Sequence, residues 1–430
     1  MLNSILLRIL TLAILWIGLG VLTLDDMVGA GGQFIWQAAA FSMLVLIGVF
    51  IEFYLGYDGD TNLFPVVQTI IVIGLVFLIR INPAMAEDQF IWANIGLMLY
   101  YVVLFGLRDY RKLGQYQYLW GLAALLLLVL TLIFGVTIYG ATNSIRVGSF
   151  GLQPEELVKI ALLLFIASYL DINEELLRIG TVQVGRFSLP DKRTLGPYII
   201  IGMFVLGMLA AQKSLGTALV FFLLMVFIIY MVTERFIYLL MSLPVIVVSG
   251  TLGYFLFGHV RVRVAIWLDP WIDATGGGYQ IAQSLFAISG GRILGTGLGN
   301  GIGAYQIPFP ETDFIFAVIA EEIGFVGAMA VISLFIIVVM RAFAVSIKAV
   351  DRFGQILAAG IGILIGVEAL IILAGVTKML PLTGIPLPWM SYGGSSMLVH
   401  CILLGILANI SHNSSFSISD IQVGKRVGVL

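Results

Sequence analysis

Twelve apolar stretches, each close to the ~20 residues that a helix needs to cross a bilayer, run through this sequence. Hydrophobic residues make up 60% of the chain and charged residues 11%, against roughly 25% charged in soluble domains. The sequence therefore predicts an all-α polytopic membrane protein of about 12 transmembrane helices with a long extracellular loop before the tenth. The stretches fall at about 4–23, 33–55, 63–81, 90–107, 117–139, 155–171, 197–212, 217–233, 236–257, 314–340, 356–376 and 394–411.

The first stretch is predicted to remain in the protein as a membrane span. A secretory signal peptide would end in a small-residue cleavage site, whereas this stretch ends in Leu24-Asp25-Asp26. Loop lysines and arginines favour both termini in the cytoplasm, because the basic groups at 108–112 and 341–352 then lie inside with most of the others.

Residues 258–313, the longest polar interval between two apolar stretches, then lie outside. A loop of this length in a compact membrane protein is usually functional. An amphipathic pattern at Tyr279–Ile288 predicts a helix along the membrane surface, and the glycine-rich run after it permits close backbone approach.

Asp313 closes this loop where the tenth apolar stretch begins, so its carboxylate lies where water meets hydrocarbon. Holding an acid there costs free energy, which indicates a functional task or a cationic partner. The alternative is a carboxylate that stabilises the helix N-terminus. Glu321 and Glu322 lie about 80° and 180° further round the helix and ~12–13 Å deeper, so neither forms a close pair with Asp313. For these glutamates the sequence favours structural pairing with basic or hydroxyl groups.

Two further polar segments interrupt the apolar pattern. Before the sixth stretch, Glu155 and Glu156 are each placed to pair with Lys159 on one helix face, and this structural pairing is favoured over substrate contact. The break at 212–217 carries Lys213. It fits either irregular backbone lining a wet cavity, where Lys213 meets an anion, or a plain extracellular turn.

Residues 380–396 form a second polar exterior segment, in which three prolines prevent a regular helix. Ser391, Gly393, Gly394 and Ser395 precede the last stretch, where free backbone N–H groups favour an anion. The alternative is a tight cap on the final helix.

Four exterior cations complete the set of candidate residues: Lys213, Arg261, Arg263 and Lys378. They either anchor the protein to lipid headgroups or together line a site for a phosphate-bearing lipid. The net charge of −2 identifies no partner, and no basic patch with interleaved aromatics indicates nucleic acid.

Composition excludes other kinds of site. Cys401 is the single cysteine and lies in an apolar stretch, so neither a disulfide framework nor a Cys-rich metal site is expected. His259, His400 and His412 lack metal-ligand spacing, which excludes a zinc site of the usual kind.

Four motifs occur in order between about residues 143 and 411. They are Leu152–Lys159, Gln212–Thr217, the run from Trp267 to Gly324 that contains Thr312-Asp313-Phe314, and Pro381–Ser396. Together they resemble the SEDS family (shape, elongation, division and sporulation) of bacterial cell-wall polymerases, the RodA, FtsW and SpoVE group. The Pro381–Pro388 stretch is closer to RodA than to FtsW, which usually has Lys at the position of Thr383.

The resemblance implies a glycosyltransferase that polymerises lipid II into glycan strands at the outer face of the bacterial cytoplasmic membrane, in cell elongation, shape or division. It implies lipid II and a crosslinking class B penicillin-binding protein as partners, and a divalent cation, Mg²⁺ or Mn²⁺, as a cofactor. The family's essential aspartate matches Asp313, and its motif carboxylate and lysine match Glu156 and Lys159. The expected substrate-binding residues are Arg261, Arg263, Lys378, Lys213, Ser391 and Ser395.

The resemblance also suggests a domain division. Residues 1–62 resemble the two-span N-terminal extension of longer family members, 63–411 the membrane core, and 412–430 a cytoplasmic tail. Two other functions stay open: a lipid-linked precursor flippase or transporter, and a non-catalytic scaffold for a class B penicillin-binding protein. Transporters usually show internal repeats and ionisable groups at the bilayer midplane, whereas Asp313 is expected at the outer edge.

Overall fold

The structure is a computed structural model that describes residues 2–24, 31–138, 141–147, 150–179, 182–184, 187–189 and 192–427. Within these ranges, eleven helices are long and apolar enough to cross a membrane, and they correspond to eleven of the predicted stretches. The sixth stretch is also helical, but its helix carries more charged side chains than the others. The predicted class, an all-α polytopic membrane protein, is confirmed.

The chain forms fifteen α-helices within the described ranges, and two short antiparallel sheets. The helices are α1 Leu2–Leu24, α2 Ile35–Tyr54, α3 Leu63–Ile81, α4 Pro83–Gly106, α5 Gln117–Phe134, α6 Pro154–Ile179, α7 Lys192–Ala211, α8 Leu215–Thr233, α9 Ile237–Leu256, α10 Gly258–Leu268, α11 Tyr279–Gly290, α12 Gly303–Gln306, α13 Ile315–Lys348, α14 Arg352–Val376 and α15 Gly394–Val427. The strands are β1 Val136–Ile138, β2 Ala141–Val147, β3 Phe150–Leu152, β4 Val182–Val184 and β5 Phe187–Leu189.

The strands were not predicted, and β1 shortens the fifth predicted span. Helix α5 ends at Phe134, because Gly135 is extended and the next residues, Val136-Thr137-Ile138, are β-branched and favour a strand. β2 pairs with both β1 and β3, and β4 pairs with β5. At the other end of the chain, α15 continues as a helix beyond its predicted end at residue 411.

The predicted extracellular loop contains three helices, α10, α11 and α12. The amphipathic pattern at Tyr279–Ile288 does form a helix, α11. Its apolar face was expected to lie on the membrane surface, but it packs largely against protein. Ile281, Ala282 and Ala287 are buried in the protein, and the Ser284 hydroxyl donates to the Val376 carbonyl at 3.1 Å. Much of the apolar face of α11 therefore packs on protein.

One compact unit comprises Met1–Val103, Gly253–Arg341 and Glu368–Gly405. Its centre is α3, which is buried along nearly its whole length and packs against α1. A helix that is apolar on every side suits such a position, since it needs no solvent-facing stripe.

In this unit the glycine-rich run after α11 is bonded to the backbone of α13. The helix is kinked at Gly324, whose φ of 68° suits glycine. Around the kink the carbonyls of Glu321 and Glu322 accept N–H groups from Thr296 and Gly297, each at 3.0 Å. Irregular backbone at membrane depth is tolerated when protein satisfies it in this way.

The side chains of the two glutamates stabilise the same junction. Glu322 Oε1 lies 3.2 Å from Arg80 Nε, and both side chains are almost fully buried. Arg80 also donates to the carbonyls of Gly299 and Gly301, at 2.8 and 2.9 Å. Glu321 accepts the backbone N–H groups at the start of α12. Glu322 thus has the basic partner that the sequence favoured, whereas Glu321 binds backbone N–H groups instead of a basic or hydroxyl group.

The second unit comprises Leu104–Leu252, Ala342–Val367 and Ile406–Leu430, and in it α6 packs against α5 and α8. Lys159 Nζ lies 2.7 Å from Glu156 Oε2, with both side chains buried. Glu155 instead accepts a hydrogen bond from the Ser214 hydroxyl at 2.7 Å. The charged start of α6 is therefore internally paired, which fits the structural interpretation of this motif.

The buried Arg80–Glu322 pair generates a stability prediction. Glu322→Gln leaves the Arg80 charge without its partner, and breaking a buried pair costs about 3–5 kcal/mol. We expect a clearly lower thermal unfolding midpoint for the purified protein in detergent.

The control is Arg352→Gln, which breaks the more exposed Arg352–Glu174 pair and is expected to cost about 0–1 kcal/mol. Equal losses in the two variants would contradict the structural role of Glu322.

Candidate functional site

A cavity of about 220 Å³ in the first unit brings together three of the predicted site residues, Asp313, Arg263 and Lys378. Its walls are apolar and aromatic, with one uncharged polar side chain, Gln280. The remaining lining residues are Ile266, Trp267, Gly277, Ile281, Gly375, Leu380 and Leu382. Converging charged groups in a concave site are typical of a ligand-binding or catalytic site.

Contacts on both sides of Asp313 hold it at this cavity. The Gln280 side chain donates to the Pro308 carbonyl at 2.7 Å, and the Tyr392 N–H donates to the Glu311 carbonyl at 2.9 Å. Phe314, the next residue, is fully buried. The half-buried Asp313 is therefore anchored by its neighbours in the chain.

Asp313 lies close to the N-terminus of α13 but is not its capping residue. Helix α13 begins at Ile315, and the Phe314 carbonyl accepts the N–H of Ala317 at 2.9 Å. Phe314 thus occupies the N-cap position, and Asp313 precedes it. Its carboxylate lies near the positive end of the helix dipole but lines the cavity.

Arg263 and Asp313 meet beside Gly384, a residue of the proline-rich segment. A Cβ atom on Gly384 would lie 3.3 Å from Arg263 Nη2 and 3.6 Å from Asp313 Oδ2. Gly384 has a φ of 71°, a conformation that glycine adopts without strain. Arg263 is held there by donating to the Thr383 carbonyl at 3.0 Å. Glycine thus keeps a side chain out of the space between the carboxylate and the cation.

Burial raises the pKa of Asp313 to about 6, and the positive charge of Arg263 opposes this rise. At pH 7 roughly nine in ten such groups are ionised. The carboxylate is therefore a much stronger proton acceptor than an ordinary aspartate while it remains mostly charged. A general base needs a pKa near the working pH, so this environment suits proton abstraction.

Lys378 lines the same cavity from the end of α14. Its backbone has a φ of 60°, and its N–H donates to the Gly375 carbonyl at 3.1 Å. This turn terminates the helix and leaves the ammonium group at the cavity. Lys378 and Arg263 thus give the cavity two cations beside one carboxylate.

Two other predicted cations lie elsewhere. Arg261 is two residues from Arg263 on α10, about 200° round the helix, and it is exposed with its guanidinium 5.8 Å from the Tyr254 ring centroid. Lys213 is an exposed residue of the second unit, in the short turn between α7 and α8. Residues 212–214 form the turn between α7 and α8, in which Gln212 is buried and the Ser214 hydroxyl donates to Glu155. Neither Arg261 nor Lys213 lines the cavity.

The start of α15 is occupied by internal contacts. The Ser391 hydroxyl accepts the Leu387 N–H at 3.1 Å, and the Gly393 N–H donates to the Gln89 side chain at 3.2 Å. A Cβ on Gly394 would lie 2.6 Å from the Trp92 ring, so glycine permits close packing there. Ser391 and Ser395 are absent from the cavity lining, and the arrangement fits a tight helix cap.

Sequence reasoning did not select Trp267 and Gln280, which line the cavity, or Gly384, which lies next to Arg263 and Asp313. Each lies inside one of the four motifs, so the motifs pointed to the right segments of the chain. The pattern gave no reason to select these residues from their neighbours. Among the described residues, no group of three or more His, Cys, Asp or Glu side chains is arranged to hold a metal ion.

A family model described as "Cell cycle protein", covering FtsW, RodA and SpoVE, matches residues 60–416 of the chain. The protein belongs to the FtsW/RodA/SpoVE family. The match includes the whole cavity and leaves α1 and α2 outside it.

Named relatives agree with this assignment. The chain is 37% identical over 369 residues to "Peptidoglycan glycosyltransferase RodA" of Mycobacterium bovis, covering 83% of this chain and 78% of the relative. It is 33% identical to "Stage V sporulation protein E" of Bacillus subtilis, covering 77% and 88%. The first relatives found carry the name RodA, which confirms the closer likeness to RodA predicted from the sequence.

Solved structures share the fold. One, described as "Structural coordination of polymerization and crosslinking by a peptidoglycan synthase complex", matches with a TM-score of 0.69 and 27% identity, covering 84% of this chain and 99% of the other. The Rod shape determining protein RodA of Thermus thermophilus matches with a TM-score of 0.59 and 25% identity, covering 84% and 98%.

Proposed function

We propose that this protein is a peptidoglycan glycosyltransferase that polymerises lipid II into glycan strands during cell elongation, shape maintenance or division. The observation that carries the proposal is the cavity in which Asp313 lies beside Arg263 and Lys378. The relatives named peptidoglycan glycosyltransferase support this reaction class. The enzyme would work at the outer face of the bacterial cytoplasmic membrane with both termini in the cytoplasm, as the loop charges favour.

Asp313 is the general base in this mechanism. The 4-hydroxyl of the acceptor GlcNAc attacks the anomeric carbon of the lipid-diphosphate donor, and the Asp313 carboxylate takes the hydroxyl proton as the new glycosidic bond forms. The bond from the anomeric carbon to the diphosphate breaks, and the diphosphate leaves with the electron pair. A positioned base of this kind contributes typically ~10²–10⁴-fold to the rate.

Arg263 and Lys378 are placed to stabilise the leaving diphosphate. Charge develops on its oxygens as the bond breaks, and cations already positioned beside those oxygens stabilise that charge. The open space at Gly384 lets a reacting group approach both Arg263 and Asp313.

The cavity offers few protein ligands for a divalent cation such as Mg²⁺ or Mn²⁺. Asp313 is the one carboxylate among the lining residues of the described cavity. Mg²⁺ at phosphate sites is commonly held by one or two carboxylates together with substrate phosphates. A carboxylate bound to the ion would have a lowered pKa and could not also act as the base. An ion here would therefore be held by the substrate diphosphate, whose charge it would neutralise.

A class B penicillin-binding protein is the proposed partner. A solved structure with the same fold is described in terms of polymerization and crosslinking by a peptidoglycan synthase complex. A polymerase makes uncrosslinked strands, so a crosslinking enzyme must act on its product. A flippase would move lipid II between vesicle leaflets without making polymer, and a pure scaffold would function without Asp313.

The direct test is polymerisation of lipid II by purified protein with its partner, resolved on a gel, with and without divalent cation. We expect polymer from the unaltered protein and none from Asp313→Asn, because the amide cannot accept the proton. Asp313→Asn should insert in the membrane and elute normally. Full polymer yield from Asp313→Asn would exclude the assigned role.

Gly384→Ala tests the open space between the two charged groups. The added methyl lies against Arg263 and Asp313 and forces an unfavourable backbone conformation that costs roughly 1–2 kcal/mol. We expect at least a tenfold lower polymerisation rate with the fold retained. Gly290→Ala is the matched control, since its Cβ would meet nothing within 4 Å. Unchanged activity in Gly384→Ala would show that the space is not used.

A further inference from the structure

Gln89 of α4 holds the irregular segment that precedes α15. The residue is 1% exposed. Its Nε2 group donates to the Ser391 carbonyl at 3.3 Å, and its Oε1 atom accepts the Gly393 N–H at 3.2 Å. An amide has its donors on one atom and its acceptor on the other, so these two partners fix the orientation of the side chain. The two bonds lie on either side of Tyr392 and restrain its backbone.

The segment needs partners of this kind. Residues 381–393 form neither helix nor strand, so their backbone groups have no regular ladder to join. Ser391 is 3% exposed, and water therefore does not replace a partner that is lost there. A buried backbone group without a partner is costly. Gln89 thus supplies bonds that the segment cannot supply for itself.

Tyr392 connects this segment to the loop that ends at Asp313. Its N–H donates to the Glu311 carbonyl at 2.9 Å, and its side chain interacts with Asp88, the neighbour of Gln89 on α4. Glu311 is 6% exposed, and a single residue separates it from Asp313. A shift of Tyr392 is therefore transmitted to Asp313 through one hydrogen bond and two peptide units.

We propose that Gln89 is a positioning residue that keeps the Asp313 carboxylate at the cavity. It acts through the Tyr392 N–H and the Glu311 carbonyl, since Gln89 itself does not line the cavity. The inference rests on the role of Asp313 as a base in the proposed function. A base must lie within hydrogen-bond reach of the proton that it takes, and a displacement of ~1 Å can lower the rate ~10²-fold. Small shifts of Glu311 are therefore enough to lower the rate.

A purely structural role for Gln89 predicts a different pattern. Loss of its bonds would then lower the stability and the yield of folded protein, while each folded molecule would turn over normally. A positioning role instead lowers the kcat of the folded protein. KM should change little, because Arg263 and Lys378 remain at the cavity to bind the substrate.

The test variant is Gln89→Leu, which keeps a similar side-chain volume and removes both hydrogen bonds. In lipid II polymerisation by purified protein with its partner, we expect kcat to fall about tenfold or more and KM to stay within about twofold. The second measurement is hydrogen–deuterium exchange without substrate. We expect faster exchange in the peptides that cover residues 391–393 and in those that cover 309–313, because the Tyr392–Glu311 bond joins the two segments.

Two other leucine substitutions serve as matched controls. Gln68 is also fully buried, and its amide has no hydrogen-bond partner in the described part of the chain. Gln68→Leu should therefore leave kcat, KM and the exchange of both segments unchanged. Asn409 donates to the carbonyls of Leu104 and Leu107 at 2.8 and 2.7 Å. Asn409→Leu removes these bonds in the second unit, and we expect a lower unfolding midpoint with a normal kcat.

Normal kcat in Gln89→Leu, or an equal fall of kcat in Asn409→Leu, would overturn the proposal. Faster exchange confined to residues 391–393 would also overturn it, because Glu311 would then not follow Tyr392. Failure of the proposed function gives a different result, full activity in Asp313→Asn, and the exchange measurement does not depend on activity. Thermal unfolding verifies the fold of each variant. If Gln89→Leu does not fold, Gln89→Asn, whose shorter side chain cannot span both partners, is judged by the same outcomes.

Discussion

The cost of placing charge in a low-dielectric membrane shapes this protein more than any other constraint. Inside the helices Arg80 pairs with Glu322 and Lys159 with Glu156, while the buried Glu155 and Glu321 accept hydrogen bonds. Asp313 differs. It is half-buried, its nearest cation, Arg263, also bonds to a carbonyl, and burial outweighs that cation in setting its pKa. The paired charges form a framework, and the incompletely neutralised carboxylate is the group left available for chemistry.

The irregular backbone of the first unit serves the same arrangement. Proline and glycine prevent a helix at residues 381–393, and this segment places Gly384 beside Asp313. The glycine-rich run after α11 is bonded to α13 at the Gly324 kink. Non-helical segments lack the internal backbone hydrogen bonds of a helix. Here several of their backbone N–H groups donate instead to α13 and to the Gln89 side chain. Hydrogen bonds thus hold the residues before Asp313, at the point where the loop ends and α13 begins.

Much of the fold followed from the length and polarity of the apolar stretches, because a helix is the structure that satisfies its own backbone in lipid. The Glu156–Lys159 pair followed from helical spacing, and Asp313 from its position at a loop boundary. The strands after α5 could not be predicted in this way, because the β-branched residues of β1 are apolar and continue the fifth stretch. Gly384 and the Arg80–Glu322 pair depend on contacts between residues far apart in the sequence, which the spacing within one segment does not reveal. For the same reason the sequence could not separate Arg263, which reaches the cavity, from Arg261, which does not.

The proposed role of Asp313 as a base depends on a pKa that is set by burial and by Arg263. The most direct measurement is the pH dependence of the polymerisation rate of purified protein on lipid II, in the unaltered form and in Arg263→Gln, with Arg261→Gln as the control. A base must be deprotonated to act, so the rate should rise with increasing pH through about 6 and level off above it. Removing the Arg263 charge should move this inflection to higher pH, and Arg261→Gln should leave it in place. A rate independent of pH through this range, or an inflection that does not respond to Arg263→Gln, would contradict the assignment of Asp313 as the base.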